Sequence, residues 1–82
     1  MQNDEILRRL QDVFDQVFLE KIVVRPDLTA HEVEEWDSLL HVTLILYVEL
    51  AFGVRFATGE IELTKNVGDL VDLIAHHTAS ER

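Results

Sequence analysis

Asp37-Ser38-Leu39-Leu40-His41-Val42-Thr43-Leu44-Ile45-Leu46-Tyr47-Val48-Glu49-Leu50-Ala51-Phe52-Gly53 decides the fold. It opens on a carboxylate and a hydroxyl, runs apolar through Phe52 and closes on glycine. That order reads as an N-cap, about four turns of helix and a C-terminal stop. The most apolar part, residues 39–48, includes His41 and Thr43 and falls well short of the roughly 20 residues needed to span a bilayer. Leu39, Val42, Ile45, Val48 and Phe52 are expected to share the core face with Leu44 at its edge. Leu40, Tyr47, Leu50 and part of Leu46 are then left over.

Upstream, Asn3-Asp4-Glu5 reads as a helix start, with Asn3 as cap and two carboxylates beside the positive end of the helix dipole. Ile6, Leu7, Leu10, Val13, Phe14, Val17 and Phe18 follow at the spacing of one helical face. Asp4 with Arg8 and Glu5 with Arg9 would add ion pairs one turn apart. The periodicity fails over residues 20–36, where Pro26 intervenes. Ile22-Val23-Val24 fits a short strand or, as we favour, a loop pinned to the core. So long a connection in a small domain is usually functional or carries packing of its own.

Downstream, Val54-Arg55-Phe56 is too short to pair as a strand, and Phe56 is expected to plug the core. Thr58 can cap a brief third helix around residues 60–64. Asn66 with Asp69 imitates a capping box for a last helix buried along Val67, Leu70, Val71 and Ile74. His76 and His77 end that helix favourably and are expected to be solvated there. The prediction is an all-α four-helix bundle with a long loop between helices one and two and a short third helix.

The chain has 82 residues, enough for one domain over residues 1–82 with a modest core. Sixteen acidic residues against seven basic ones give a formal net charge of −9, which argues against nucleic acid and anionic membranes and for basic partners. Absence of cysteine excludes disulfides, thiolate zinc sites and a cysteine nucleophile. The acidic N-terminus lacks the pattern of a signal peptide, so a cytoplasmic protein is expected.

Two serines are present, and Ser80 lies in the tail Ala79-Ser80-Glu81-Arg82, which leaves Ser38 as the candidate for chemistry. It follows Glu32, Glu34, Glu35 and Asp37 and stands where helix N–H groups and the dipole favour an anion. Taken alone, a hydroxyl before an apolar run is more often a helix cap. A Ser38–His41 nucleophile pair lacks an orienting carboxylate, because Asp37 directly precedes the serine, and there is no G-x-S-x-G turn. Adjacent His76 and His77 diverge by about 100 degrees around a helix, and the acidic approach lacks EF-hand spacing, so neither reads as a metal site.

Asp37-Ser38-Leu39, placed after a helix and a long loop and before Phe52 and Phe56, a short helix and a last helix, resembles the acyl carrier protein family. Its attachment motif is this triplet. The runs EWDSLLHV at 35–42, FGVRF at 52–56 and KNVGDLVDLI at 65–74 look like stand-alone carriers of specialised pathways. Glu34, Glu35 and Trp36 occupy slots that usually read Leu-Gly-x. The resemblance implies a non-catalytic protein carrying acyl groups as thioesters on 4′-phosphopantetheine attached to Ser38. Asp37 would help the transferase bind its metal and coenzyme A.

The implied partners are a phosphopantetheinyl transferase and acyl-activating, acyltransferase or synthase enzymes of fatty acid, polyketide or other acyl biosynthesis, met by a monomeric carrier. Family members often dock partners through acidic residues on helix two, where this chain keeps Glu49 alone. Docking is therefore expected through Leu40, Tyr47 and Leu50, framed by Glu34, Glu35 and Glu60. The alternative is an acidic interaction module with no prosthetic group, using the same apolar residues.

Overall fold

The apolar stripe of the first helix buries as its spacing requires. In a computed structural model, which describes residues 2–79, helix α1 spans Asn3–Val17 and buries Ile6, Leu10, Val13 and Phe14. Phe18 continues that face, buried just past the helix end. The helix begins at Asn3 rather than after it: Gln2 holds the capping position and makes no side-chain cap bond. Of the two expected ion pairs, Arg9 meets Glu5 at 3.3 Å.

The remaining helices are α2 (Ser38–Phe52), α3 (Thr58–Glu62) and α4 (Val67–Ala79), with a 3-10 turn at Ala30–Glu32. The described residues are all-helical apart from loops, as expected, and α2 and α4 both pack on α1.

The segment after α1 is a loop held by side chains. Gln11 Nε2 donates to the Ile22 carbonyl at 2.7 Å, and the Val24 N–H donates to Gln11 Oε1 at 2.9 Å. One amide thus supplies the donor and acceptor that a neighbouring strand would have offered, so a β-branched run is held here without a sheet. Ile22, Leu28 and Val33 are buried beneath it. Farther on, the N–H groups of Val67 and Gly68 donate to the carbonyls of Leu28 and Pro26 at 2.9 and 2.7 Å. The loop therefore caps the N-terminus of α4. Asn66 Oδ1 accepts from Asp69 N–H at 2.8 Å, and Asp69 returns a carboxylate to Lys65 N–H at 2.8 Å, so the expected capping pair forms shifted by one residue.

Helix α2 differs from its expected phase. Leu44, Ile45, Val48 and Phe52 are buried, but Leu39 and Val42, assigned to the core from spacing, are 74% and 58% exposed. Leu40, expected outside, packs partly buried against the core. A helix apolar on every side carries no phase of its own; its contact with α1 selects the Leu40–Leu44–Val48–Phe52 row. Gly53 ends the helix in the left-handed conformation, at φ 66°.

After this turn Phe56 packs partly buried against the core, its N–H donating to Glu49 Oε2 at 2.9 Å. Helix α3 starts two residues earlier than its expected span. Ala57 rather than Thr58 holds its capping position, and the Ala57 N–H donates to Glu60 Oε1 at 2.9 Å. Val67, Leu70, Val71 and Ile74 form the buried stripe of α4 as expected. The solvated end expected for α4 is corrected at His77: its Nε2 lies 3.0 Å from Glu60 and its ring meets Phe56 edge-on at 5.2 Å.

Candidate functional site

Ser38 is the first residue of α2, exposed, with Asp37 as the cap. The Leu40 N–H donates to Asp37 Oδ1 at 2.9 Å, and His41 N–H to the Asp37 carbonyl at 2.8 Å. Capping therefore belongs to Asp37. The N–H groups of Ser38 and Leu39 remain at the positive end of the helix, which suits an anion on the serine oxygen.

Trp36 fixes the approach to this end. Its ring meets Phe14 edge-on at 5.3 Å and Phe18 at 5.7 Å, anchoring the end of the loop to α1. Its Nε1–H donates to His41 Nδ1 at 3.1 Å, with the two rings stacked. Burial pushes the His41 imidazole below the usual histidine range. Around Ser38 lies an open depression of about 590 Å³ lined by His31, Trp36, Asp37, His41 and Val42. A second, narrower cleft of about 300 Å³ between α2 and α3 shares His41 and Val42 and adds Ile45, Leu46, Thr58 and Ile61.

Among the residues expected to meet partners, Leu50 is 83% exposed and Tyr47 41%, whereas Leu40 turns inward. Leu39, Val42, Leu46 and Leu50 form the exposed apolar row of α2, starting beside Ser38. Glu34 is exposed. The Glu35 carboxylate instead accepts the N–H groups of Leu19 and Glu20 at 3.0 and 3.1 Å, closing the chain after α1. Glu60 is held by the Ala57 N–H and by His77, which together keep its carboxyl below the usual range. Ser80 lies outside the described residues.

The Ser38–His41 nucleophile reading finds no geometric support. His41 Nδ1 receives Trp36 and the Asp37 carboxylate receives Leu40, so neither is arranged to draw the serine proton. The Trp36–His41 contact escaped sequence reading because it joins a loop residue to a helix residue outside any periodic pattern.

No family model matches the chain. It is 33% identical over 78 residues to the acyl carrier protein of Rubrobacter xylanophilus, covering 94% of this chain and 96% of that protein. It is also 33% identical over 81 residues to the acyl carrier protein of Acidothermus cellulolyticus, covering 98% and 96%. The solution NMR structure of holo acyl carrier protein from Geobacter metallireducens superposes with a TM-score of 0.84 at 40% identity, covering 90% of this chain and 86% of that one.

The chain belongs to the acyl carrier protein family. It is thus a carrier and not a catalyst, and its prosthetic group is covalent 4′-phosphopantetheine. This carrier's residues fit such a group. The exposed Ser38 hydroxyl and the imidazoles of His31 and His41 border one open depression at the N-terminal end of α2, where helix-end N–H groups favour an anion, a donor set matched to a phosphodiester. No helix among the described residues is long and apolar enough to cross a membrane.

Proposed function

We propose that this carrier holds its acyl groups as thioesters on 4′-phosphopantetheine joined to Ser38, and serves fatty acid, polyketide or other specialised acyl biosynthesis. The carrying observation is the exposed Ser38 hydroxyl at the first position of a helix whose cap is supplied by its neighbour Asp37. The serine is thereby released from the capping role that would otherwise explain it. In priming, Ser38 Oγ would form the new P–O bond as the bond to the nucleotide half of coenzyme A breaks, the hydroxyl proton passing to a base of the transferase. Asp37 stands next to the reacting oxygen, where it would help the transferase hold its metal and coenzyme A.

We read the chain as one cytoplasmic carrier domain over residues 1–82, and as monomeric because copies of a body of net charge −9 repel one another. Its partners are a phosphopantetheinyl transferase and acyl-activating, acyltransferase or synthase enzymes. We place their docking surface on the exposed row Leu39, Val42, Leu46 and Leu50 with Tyr47 beside it. Leu40 supports that surface from below, and the acids at Glu34, Glu35 and Glu60 lend their charge to its flanks.

Mass measurement before and after incubation with coenzyme A and a transferase tests the attachment. The wild-type chain should gain one phosphopantetheine, and Ser38→Ala none. A gain in Ser38→Ala would overturn the assignment. No gain in a folded wild-type chain would favour an interaction module.

A further inference from the structure

The geometry points to His41 as a positioning residue for the prosthetic arm, its Nε2–H donating to the phosphodiester on Ser38. This rests on Ser38 as the attachment residue. Indole nitrogen only donates, so the His41 Nδ1 that receives Trp36 at 3.1 Å carries no proton, and the neutral ring holds its proton on Nε2. No described group accepts that N–H. Trp36 is itself wedged against Phe14 and Phe18, so the ring orientation is referred back to the core.

Helical side chains lean toward the N-terminus, and residues three apart stand with Cβ atoms about 5–6 Å from each other, which sets His41 over the turn that starts at Ser38. Both residues line the same depression. Facing it are His31 from the 3-10 turn and the Asp37 carboxylate, the latter engaged by the Leu40 N–H; Glu49 and Glu62 border the neighbouring cleft. The Ser38 and Leu39 N–H groups approach an anion on the serine from the helix end. An imidazole N–H from one turn farther on would fix the direction in which the arm leaves. Burial favours the neutral ring, and with it this donor arrangement.

The test uses the full chain primed by coenzyme A and a transferase. Mass spectrometry of wild type and Ser38→Ala first reports whether Ser38 carries the arm, so failure of that assignment is seen separately. Phosphorus NMR of the primed carrier is then followed from about pH 5 to 8, where a phosphodiester has no ionisation of its own and histidine titrates. The phosphorus resonance should move with the same midpoint as the His41 ring protons. That midpoint should lie about one unit higher in primed than in unprimed carrier, the low end of the effect of an opposite charge within about 4–6 Å.

The step should vanish in His41→Phe and persist in His31→Phe. No phosphorus step, or one that survives His41→Phe and disappears in His31→Phe, overturns the proposal. Trp36→Phe keeps an aromatic ring against Phe14 while releasing Nδ1, and should raise the His41 and phosphorus midpoints together. A phosphorus midpoint that stays fixed while that of His41 moves also overturns it.

Discussion

Gly53 sits at φ 66° with open space where a Cβ would stand, so Gly53→Ala tests backbone conformation alone. The left-handed penalty predicts a loss of about 1–2 kcal/mol, read as a lower urea midpoint with unchanged slope. At Gly68 the cause is reversed: a Cβ would lie 3.0 Å from the Pro26 carbonyl oxygen, a backbone atom with little freedom to retreat. Gly68→Ala should therefore push the loop off α4 and speed hydrogen exchange at the Val67 amide, whose acceptor is the Leu28 carbonyl. Unchanged exchange there would show that the loop yields without cost. At His41 burial lowers the folded-state pKa, so the unfolded chain takes up a proton at higher pH than the folded one. The corresponding stability is fully present above the ordinary histidine value of about 6.5 and is lost as pH falls through the folded value. Melting temperatures of wild type and His41→Phe should thus diverge below that pH, to the disadvantage of wild type. A gap constant with pH would contradict this.

Helices α1 and α4 were legible because each has one apolar face, and their buried residues all lie on the faces that the spacing predicts, with Leu7 and Val17 only half-buried on that of α1. Helix α2 was legible as a helix but not in its rotation. With apolar residues all round, the choice between a Leu39–Val42 row and a Leu40–Leu44 row belongs to α1, not to local sequence. The same distance from local pattern hid Glu35: its acceptor role spans 15 and 16 residues, to Glu20 and Leu19, so in sequence it looked like one more free acid. Ser38 stood out because it opens a helix, but its release from capping is visible only once Asp37 Oδ1 is seen on the Leu40 N–H. Gln11 offers the sharpest test at this scale. Its amide bridges the Ile22 carbonyl and the Val24 N–H, so Gln11→Ala leaves two part-buried backbone groups without partners. A loss of about 1–3 kcal/mol is expected, with faster exchange at the Val24 amide. Wild-type exchange at Val24 would mean that the loop is held by Ile22 and Leu28 burial alone.

Across the whole molecule a net charge of −9 opposes compaction, and salt should raise the melting temperature by screening charges beyond about 10 Å at 0.1 M. Millimolar magnesium should act the same way, and thermal scans that stay flat or fall would remove repulsion as the limit. Among the acids near Ser38, Glu32 is paired with Arg25 and Glu35 holds two backbone N–H groups that its replacement would also release, which leaves exposed Glu34 as the better single-site probe. The same charge shapes docking. Leu39, Val42, Leu46 and Leu50 run up the outside of α2 from the residue after Ser38, so an enzyme reaching an arm on Ser38 would meet this row. Like-charged copies disfavour self-association there and a basic-rimmed partner is favoured. Glu60 is a poor charge probe, because reversing it would also break its contacts with His77 and the Ala57 N–H; exposed Glu62 on the same helix carries charge without those bonds. With a cognate enzyme, Leu46→Ala, Tyr47→Ala and Leu50→Ala should each weaken binding about fivefold to tenfold, about 1–1.4 kcal/mol, mainly through faster dissociation. Glu34→Lys and Glu62→Lys should instead slow association and flatten its salt dependence. If the three apolar variants fold normally yet bind and load as wild type does, the exposed row of α2 is not the docking surface.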